Sequence, residues 1–225
     1  MKSTIDNYKE IRNSIPESVN LVIVSKTHPS EAIKELYDVG HRAFGENKSQ
    51  EILIKQQELP LDIEWHFIGH LQRNKVRQIV PFVHLIHGVD SLRLLKEINK
   101  QSIRFEKKTN CLLQFFIADE ETKFGFELDE VREILQSDEF KEMQNIQICG
   151  VMGMATYTED VEQIKAEFVN LKNIFDNLKS EFFAGDDKFK EISMGMTNDY
   201  GIAVEQGSTI VRIGSAIFGD RDYSK

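Results

Sequence analysis

A lysine at the end of an apolar run could do covalent chemistry in this chain. Lys26 directly follows five residues typical of a buried strand, in LVIVSKTHPSEAIKEL (residues 21–36). A lysine amine with the ordinary pKa of ~10.4 is protonated and a poor nucleophile. Desolvation at an apolar mouth favours the neutral amine, which condenses with an aldehyde or ketone to a Schiff base. A solvated or ion-paired lysine is the alternative that position alone leaves open.

Two turns rich in small residues could bind a phosphate. Gly214-Ser215 closes an apolar strand in GSTIVRIGSAIFG (residues 207–219), and SMGMTND (residues 193–199) offers the hydroxyls of Ser193 and Thr197. Backbone N–H groups in such turns can approach a phosphate closely. Tight packing of helix on strand is the competing explanation for the glycines. Together with Lys26, the turns indicate a phosphate ester that carries an aldehyde.

Strand and helix patterns alternate along nearly the whole chain. The predicted strands are 21–25, 41–45, 64–68, 84–89, 111–118, 146–154, 192–196 and the final run within 208–219. Because a helix separates each from the next, the strands must pair in parallel. Eight such units predict one domain over residues 1–225, a closed (β/α)8 TIM barrel with an extra N-terminal helix from Ile5 to Ile15. An open doubly wound sheet is the alternative.

In a barrel, residues that do chemistry lie at the carboxyl ends of the strands. We therefore expect the residues that follow the strands to converge on one pocket. These residues are Lys26, Glu46-Asn47, Gly69-His70, Asp90-Ser91, Gly153-Met154, Gly195-Met196 and Gly214-Ser215.

Composition limits the function. The 225 residues are 40% hydrophobic and 29% charged, with a net charge of -9, which argues against a nucleic-acid partner. No run approaches a membrane span. Cys111 and Cys149 lie in apolar runs without a metal-binding spacing, and we expect buried thiols in a cytoplasmic protein. His66 and His70 would share a strand face, but no complete metal ligand set accompanies them. No oligomerisation element is evident, which favours a monomer.

Six motifs are similar to those of one protein family. They are VSKTHP around Lys26, FGEN at 44–47, WHFIGHLQRNK at 65–75, GVDS at 88–91, CGVMGM at 149–154 and ISMGMTNDYGIAVEQGSTIVRIGSAIFG at 192–219. The chain resembles the pyridoxal-phosphate homeostasis proteins, also called the proline-synthetase co-transcribed family, which are similar to the barrel domain of alanine racemase.

The resemblance implies a pyridoxal 5′-phosphate site with a role for each matching residue. Lys26 matches the lysine that carries the cofactor as an aldimine. The implied phosphate pocket is Ser193, Thr197, Gly214 and Ser215; the implied lining residues are Asn47 and His70, with Met194 near the ring. Arg212 matches an arginine at the pyridine nitrogen. A guanidinium donates a hydrogen bond to this nitrogen but supplies no proton. The resemblance therefore implies an unprotonated ring, which is a weaker electron sink than a protonated one. A structural ion pair is the alternative for Arg212.

Two positions depart from the family pattern. Lys48 follows GEN where an aromatic residue is frequent, and Phe116 stands where an asparagine is frequent after the fifth strand. Either change could alter polar contacts at the rim of the site, and neither touches Lys26.

The resemblance implies a non-catalytic carrier that buffers the cofactor or delivers it to apoenzymes, releasing it to an incoming amine or by hydrolysis. An amino-acid racemase is the alternative. A racemase of this type requires a second acid–base group on the other face of the substrate, usually from an added domain. The sequence ends at Lys225, soon after the eighth strand, which favours the carrier. A Schiff-base aldolase expects its lysine on the sixth strand, and IQICGVMGM contains none.

Overall fold

Eight parallel strands close into a barrel in the computed structural model, which describes residues 2–118 and 125–219. The strands are β1 (Asn20–Val24), β2 (Ala43–Glu46), β3 (Glu64–Phe67), β4 (Leu85–Val89), β5 (Thr109–Gln114), β6 (Ile146–Met152), β7 (Glu191–Ser193) and β8 (Ile210–Ile213). Each pairs with its neighbour in sequence, and β1 pairs with β8 to complete the ring. The predicted (β/α)8 barrel is therefore confirmed, and the open sheet is excluded.

Helices precede, separate and follow the strands. They are α1 (Thr4–Ser14), α2 (Ser30–Asp38), α3 (Ser49–Glu58), α4 (Val76–Ile79), α5 (Leu92–Arg104), α6 (Leu128–Gln136), α7 (Asp138–Lys141), α8 (Val161–Phe182), α9 (Tyr200–Glu205) and α10 (Ser215–Phe218). The extra N-terminal helix is α1, which begins with a capping box between Ser3 and Asp6. Such a box satisfies two of the N–H groups that a helix start leaves without partners.

The apolar core has two parts. The larger part lies between the strands and the surrounding helices and contains, for example, Phe44, Phe67 and Phe168, all at most 1% exposed. The smaller part takes residues from strands on different sides of the ring, so it fills the barrel: Val22, Leu85, Leu112, Cys149, Met152 and Ile210. The barrel interior is thus packed below the carboxyl ends, as expected for this architecture.

Both cysteines are free thiols and buried, as predicted. Burial raises the pKa of the Cys149 thiol to about 11, so it is protonated and unreactive at neutral pH. Among the described residues, no helix combines the length and apolar character that crossing a bilayer requires.

Strands five and seven differ most from the prediction. β5 ends at Gln114 rather than Ala118, and β7 ends at Ser193 rather than Met196. In both places the apolar run continues past the last paired residue, because those side chains still pack into the core: Phe115, Ile117 and Met194 are each at most 8% exposed. Hydrophobicity therefore marks burial here, and not the extent of strand pairing.

Candidate functional site

A cavity of about 480 Å³ opens at the carboxyl ends of the strands. Its volume is within the range of ordinary small-molecule sites. Of the nine residues predicted to bind the cofactor, seven line it: Lys26, Asn47, His70, Thr197, Arg212, Gly214 and Ser215. They come from the ends of five different strands, so closing the barrel is what brings them together.

A buried ion pair lies beneath the backbone next to Lys26. Lys55 Nζ, on α3, is 2.7 Å from Glu46 Oε1 at the end of β2 and donates at 2.8 Å to the carbonyl oxygen of Ser25. The Ser25 hydroxyl donates to the same Glu46 oxygen at 2.6 Å. Glu46 and Ser25 are fully buried and Lys55 is 5% exposed. The end of β1 is therefore fixed from below, one residue before Lys26.

The residue after Lys26 has a strained backbone. Thr27 has a φ of 68°, in the left-handed region that β-branched residues avoid. Its N–H donates at 2.7 Å to Glu51 Oε2, which holds the turn in this conformation. Strain of this kind persists where surrounding contacts over-determine it, and it is frequent at functional sites. The turn directs the chain sharply away from β1 while Lys26 stays at the cavity.

Replacing Thr27 with asparagine should therefore stabilise the protein. Asparagine tolerates the left-handed region, whereas the conformation costs other residues roughly 1–2 kcal/mol. Thr27 is exposed, so its side chain loses little packing. We expect Thr27→Asn to raise the free energy of unfolding by about 1 kcal/mol in urea titrations, and Thr27→Ala, which keeps an ordinary Cβ, to gain much less. Destabilisation by the asparagine would contradict the assignment of strain.

Two hydroxyl groups meet across neighbouring loops. Ser215 Oγ, after β8, donates to Thr197 Oγ1, after β7, at 3.2 Å. A Cβ added to Gly214 would lie 2.9 Å from the Val24 carbonyl oxygen, so only glycine allows this close approach of β8 to β1. The turn at Gly214-Ser215 and the loop at Thr197 thus bring two hydroxyl groups to the same end of the cavity. Hydrogen-bond donors on adjoining loops after strands seven and eight are a frequent arrangement for phosphate in barrels.

Polar groups also line the opposite side of the cavity. His70 Nδ1 is 2.8 Å from Asp90 Oδ2, which orients the imidazole. Asn47 lines the cavity, and its side-chain oxygen is buried without a hydrogen-bond partner among the described residues. Because an unpaired buried acceptor is costly, a ligand that donates a hydrogen bond there would be favoured.

Arg212 places a cation on the floor of the cavity. Its Nη1 donates to Ser193 Oγ at 2.6 Å and its Nη2 to the Gly153 carbonyl oxygen at 3.1 Å. Both acceptors are uncharged, and the nearby carboxylate of Asp199 favours the charged form. Burial lowers the pKa of Arg212 to about 10, so the guanidinium stays protonated at neutral pH. Two hydrogen bonds hold it in place, and its remaining N–H groups are donors for a ligand.

Ser193 and Met194 do not line the cavity. Both are fully buried, and they lie on opposite faces of the chain at the end of β7. Ser193 lies beneath Arg212 inside the barrel, and Met194 packs in the outer core. Ser193 therefore supports the arginine from below, and neither Ser193 nor Met194 is among the described residues that line the cavity.

A chain of hydrogen bonds continues from Ser193 through the barrel. Ser193 Oγ is 2.8 Å from His87 Nδ1, and His87 Nε2 is 2.8 Å from His66 Nδ1. Burial lowers the pKa of His66 to about 3 and lowers that of His87 well below its usual value, so both rings are neutral at pH 7. His66 and His70, which share a strand face in the sequence pattern, therefore have separate partners.

The two neutral, buried histidines of this hydrogen-bond chain predict that the protein loses stability in mild acid. The pKa of both histidines is depressed in the folded protein and is ~6.5 in the unfolded chain. Their contribution to stability is therefore present above pH 6.5 and is lost as pH falls toward the folded-state values. Urea titrations between pH 7.5 and 5 should show a slope of up to about 1.4 kcal/mol per pH unit for each histidine. Burial also lowers the pKa of His41 to about 4, so that ring adds to the slope in the same direction. His66→Gln should therefore reduce the slope by roughly a third; a flat profile in the wild type would contradict the burial of neutral rings.

Several residues of the cavity lie outside the predicted set. They are Val24, Ile68, Gln114, Tyr157, Asn198 and Asp199. Gln114 is the last residue of β5, so the strand-end rule would have found it if the end of that strand had been placed correctly. Tyr157 lies in the loop after β6, for which the sequence has no comparable signal.

The two departures from the family pattern lie outside the cavity lining. Lys48 is exposed and pairs with Glu51 at 3.5 Å, and the Phe116 N–H donates to the Phe126 carbonyl oxygen at 3.3 Å. Each belongs to a segment next to the site, so their effect on a ligand would be indirect.

Comparison with known proteins identifies the class and then the family. The sequence model of the family described as alanine racemase, N-terminal domain, matches residues 2–222. An alanine racemase from Clostridium difficile 630 has the same fold, with a TM-score of 0.77 at 16% identity over 99% of this chain and 57% of the racemase. The fold and the family model thus define an alanine racemase-type barrel.

More similar relatives belong to one branch of this class. Proteins named pyridoxal phosphate homeostasis protein from Aquifex aeolicus and Escherichia coli K12 are 38% and 37% identical, over 90% and 93% of this chain and 87% and 89% of theirs. PipY of Synechococcus elongatus, in a structure with pyridoxal phosphate bound, superposes with a TM-score of 0.86 at 32% identity, covering 96% of this chain and all of PipY. The chain belongs to the pyridoxal phosphate homeostasis protein family.

Proposed function

We propose that this chain binds pyridoxal 5′-phosphate in the cavity at the carboxyl ends of its strands and takes part in homeostasis of the cofactor, as a carrier rather than as a catalyst. One observation carries the proposal: an amine, a fixed guanidinium and a pair of hydroxyls, on Lys26, Arg212, Thr197 and Ser215, line one cavity. The names of the relatives and the cofactor bound in PipY support the same ligand.

The residues present fit this group. Bound pyridoxal 5′-phosphate supplies an aldehyde for a lysine amine, an aromatic ring with a basic nitrogen, a phenolic hydroxyl and a phosphate. Lys26 supplies the amine, and the loops at Thr197 and Ser215 supply donors for the phosphate. The unpaired buried oxygen of Asn47 is an acceptor that a bound hydroxyl would satisfy.

Arg212 and its supports set the electronic character of the site. A guanidinium donates a hydrogen bond to a pyridine nitrogen but, with a pKa of about 10, does not give up its proton at neutral pH. Hydrogen bonds to Ser193 and to the Gly153 carbonyl group hold the guanidinium in position from below. A bound pyridine ring whose nitrogen faced Arg212 would therefore stay unprotonated and would be a weak electron sink, which suits storage and delivery better than carbanion chemistry.

Release of the cofactor requires access to Lys26. Lys26 is partly exposed, and neighbouring cavity residues such as Met154 and Tyr157 are 42% and 86% exposed. An amine from solvent can therefore compete with the lysine at an open mouth, whereas demanding catalysis benefits from exclusion of water. We place this role in the cytoplasm, where buried free thiols such as Cys111 persist. The recipients we propose are apoenzymes that use the same cofactor.

The racemase alternative has one residue in its favour. Tyr157 lines the same cavity as Lys26 and carries a phenol, a group that can serve in acid–base chemistry. Its 86% exposure argues against this role, because few neighbouring residues hold a largely exposed side chain in a fixed position.

Two assays on the same cofactor-loaded protein separate the functions. Loaded wild type should activate an aminotransferase stripped of its cofactor, while loaded protein incubated with L-alanine should produce D-alanine only at the rate of free pyridoxal 5′-phosphate. Tyr157→Phe is expected to leave both results unchanged. Enzyme-like production of D-alanine that both Lys26→Ala and Tyr157→Phe abolish would overturn the carrier in favour of a racemase.

A further inference from the structure

Three potential metal ligands meet at the amino-terminal end of the barrel, opposite the cofactor cavity. Glu64, His66 and His84 each offer one ligand atom, and these three atoms lie within 4.8 Å of one another. The backbone explains why they meet. Glu64 and His66 are two residues apart on β3, and so share a face. His84 directly precedes Leu85, the residue of β4 that pairs with His66.

His66 is oriented as metal-binding histidines are. The residue is 5% exposed, and its Nδ1 is held 2.8 Å from His87 Nε2, so Nε2 is the nitrogen left for a ligand. His87 is held in turn by Ser193, which accepts a hydrogen bond from Arg212. Metal-ligating histidines almost always use their second nitrogen in this way, because the outer hydrogen bond fixes the ring and its tautomer.

We propose that this cluster is a binding site for a divalent transition metal such as Zn²⁺ or Co²⁺. The ligands are His66 Nε2, a ring nitrogen of His84 and a carboxylate oxygen of Glu64. Two imidazoles and one carboxylate are a known set of three protein ligands for zinc sites whose fourth coordination position is open. The site is separate from the proposed cofactor site and does not depend on it.

The surroundings give a metal access to the three ligands. They also leave its fourth coordination position open. Glu64 and His84 are exposed, and all three residues line a cavity of about 680 Å³. The same cavity contains Lys108, Lys188 and Lys190. Because these cations disfavour a bare metal ion, we expect a bound metal to take an anion such as phosphate or a carboxylate as its fourth ligand.

The hydrogen-bond chain can adopt the polarity that metal binding requires. A metal on His66 Nε2 leaves the proton on Nδ1, which then donates to His87 Nε2. His87 Nδ1 carries its own proton and donates to Ser193 Oγ. The serine oxygen has two lone pairs, so it accepts from both His87 and Arg212.

Cobalt binding to the cofactor-free protein tests the site. Titration with Co²⁺ should give one equivalent bound per chain, with the visible d–d absorption of a low-coordinate site, and Zn²⁺ should displace it. His84→Gln and Glu64→Gln, both changes at exposed positions that should preserve folding, should each weaken binding by about 10- to 100-fold. His28→Gln, which removes a histidine at the other end of the barrel, should bind as the wild type does. Absence of stoichiometric binding in the wild type, or equal affinity in His84→Gln, would overturn the proposal.

A second measurement assigns the ligand nitrogen. In ¹⁵N spectra of the histidine rings, Zn²⁺ should move the His66 Nε2 resonance to the metal-bound range while Nδ1 carries the proton. A Zn²⁺ complex in which the His66 resonances stay where they were would overturn the assignment of His66 as a ligand.

Discussion

Lys26→Ala is expected to abolish covalent binding of pyridoxal 5′-phosphate and to weaken total affinity by at least about 100-fold, or about 3 kcal/mol. The reason is that Lys26 is the one lysine among the described residues that line the cavity, and the other polar lining residues, such as Thr197, Ser215 and Arg212, can offer only hydrogen bonds and charge. The wild type mixed with the cofactor should show the visible band of a lysine adduct, and the variant should show the spectrum of the free aldehyde.

Lys34→Ala is the matched control for this experiment. Lys34 is an exposed lysine on α2 that pairs with Asp38 on the same helix, so its loss leaves the cavity intact. Its spectrum and affinity should match those of the wild type. A visible band of wild-type intensity in Lys26→Ala would contradict the assignment.

The second large effect concerns stability. Lys55→Met is expected to lower the free energy of unfolding by about 3–5 kcal/mol, because it leaves the charge of Glu46 buried without its partner. Glu46 is fully buried, and one of its oxygens already has no hydrogen-bond partner among the described residues. Burial raises the pKa of this carboxyl group, and the charge of Lys55 opposes that change. Equilibrium unfolding in urea measures the loss.

Two further variants make the test specific. Adding Glu46→Gln to Lys55→Met removes the stranded charge and should recover a substantial part of the loss. Lys172→Met breaks an exposed pair with Asp176 on α8 and should cost no more than about 1 kcal/mol. If Lys55→Met behaved like Lys172→Met, the pair would not be buried in solution as it is in the structure.

The eight-stranded barrel could be predicted from the sequence because each of its units repeats one local pattern. A strand of apolar residues followed by an amphipathic helix requires parallel pairing wherever it occurs. The strand-end rule then located Lys26, Asn47, His70 and Ser215 without any knowledge of distances, because it depends on chain direction alone.

The contacts that support the site could not be predicted, because they join residues distant in sequence. The sequence places Glu46 at a strand end, but nothing in it joins Glu46 to Lys55 rather than to solvent. Ser193 and Met194 are adjacent at the end of a strand, so their side chains point to opposite faces, and neither lines the cavity in the structure. A three-residue strand offers too little pattern to show from the sequence which face each residue occupies.

The most direct test of the central claim is to locate the adduct on the chain. Protein loaded with pyridoxal 5′-phosphate is reduced with borohydride, digested and analysed by mass spectrometry. We predict one modified lysine at stoichiometric yield, Lys26, with Lys34 and Lys55 unmodified. Modification spread over exposed lysines, with Lys26 no more reactive than the others, would contradict the account.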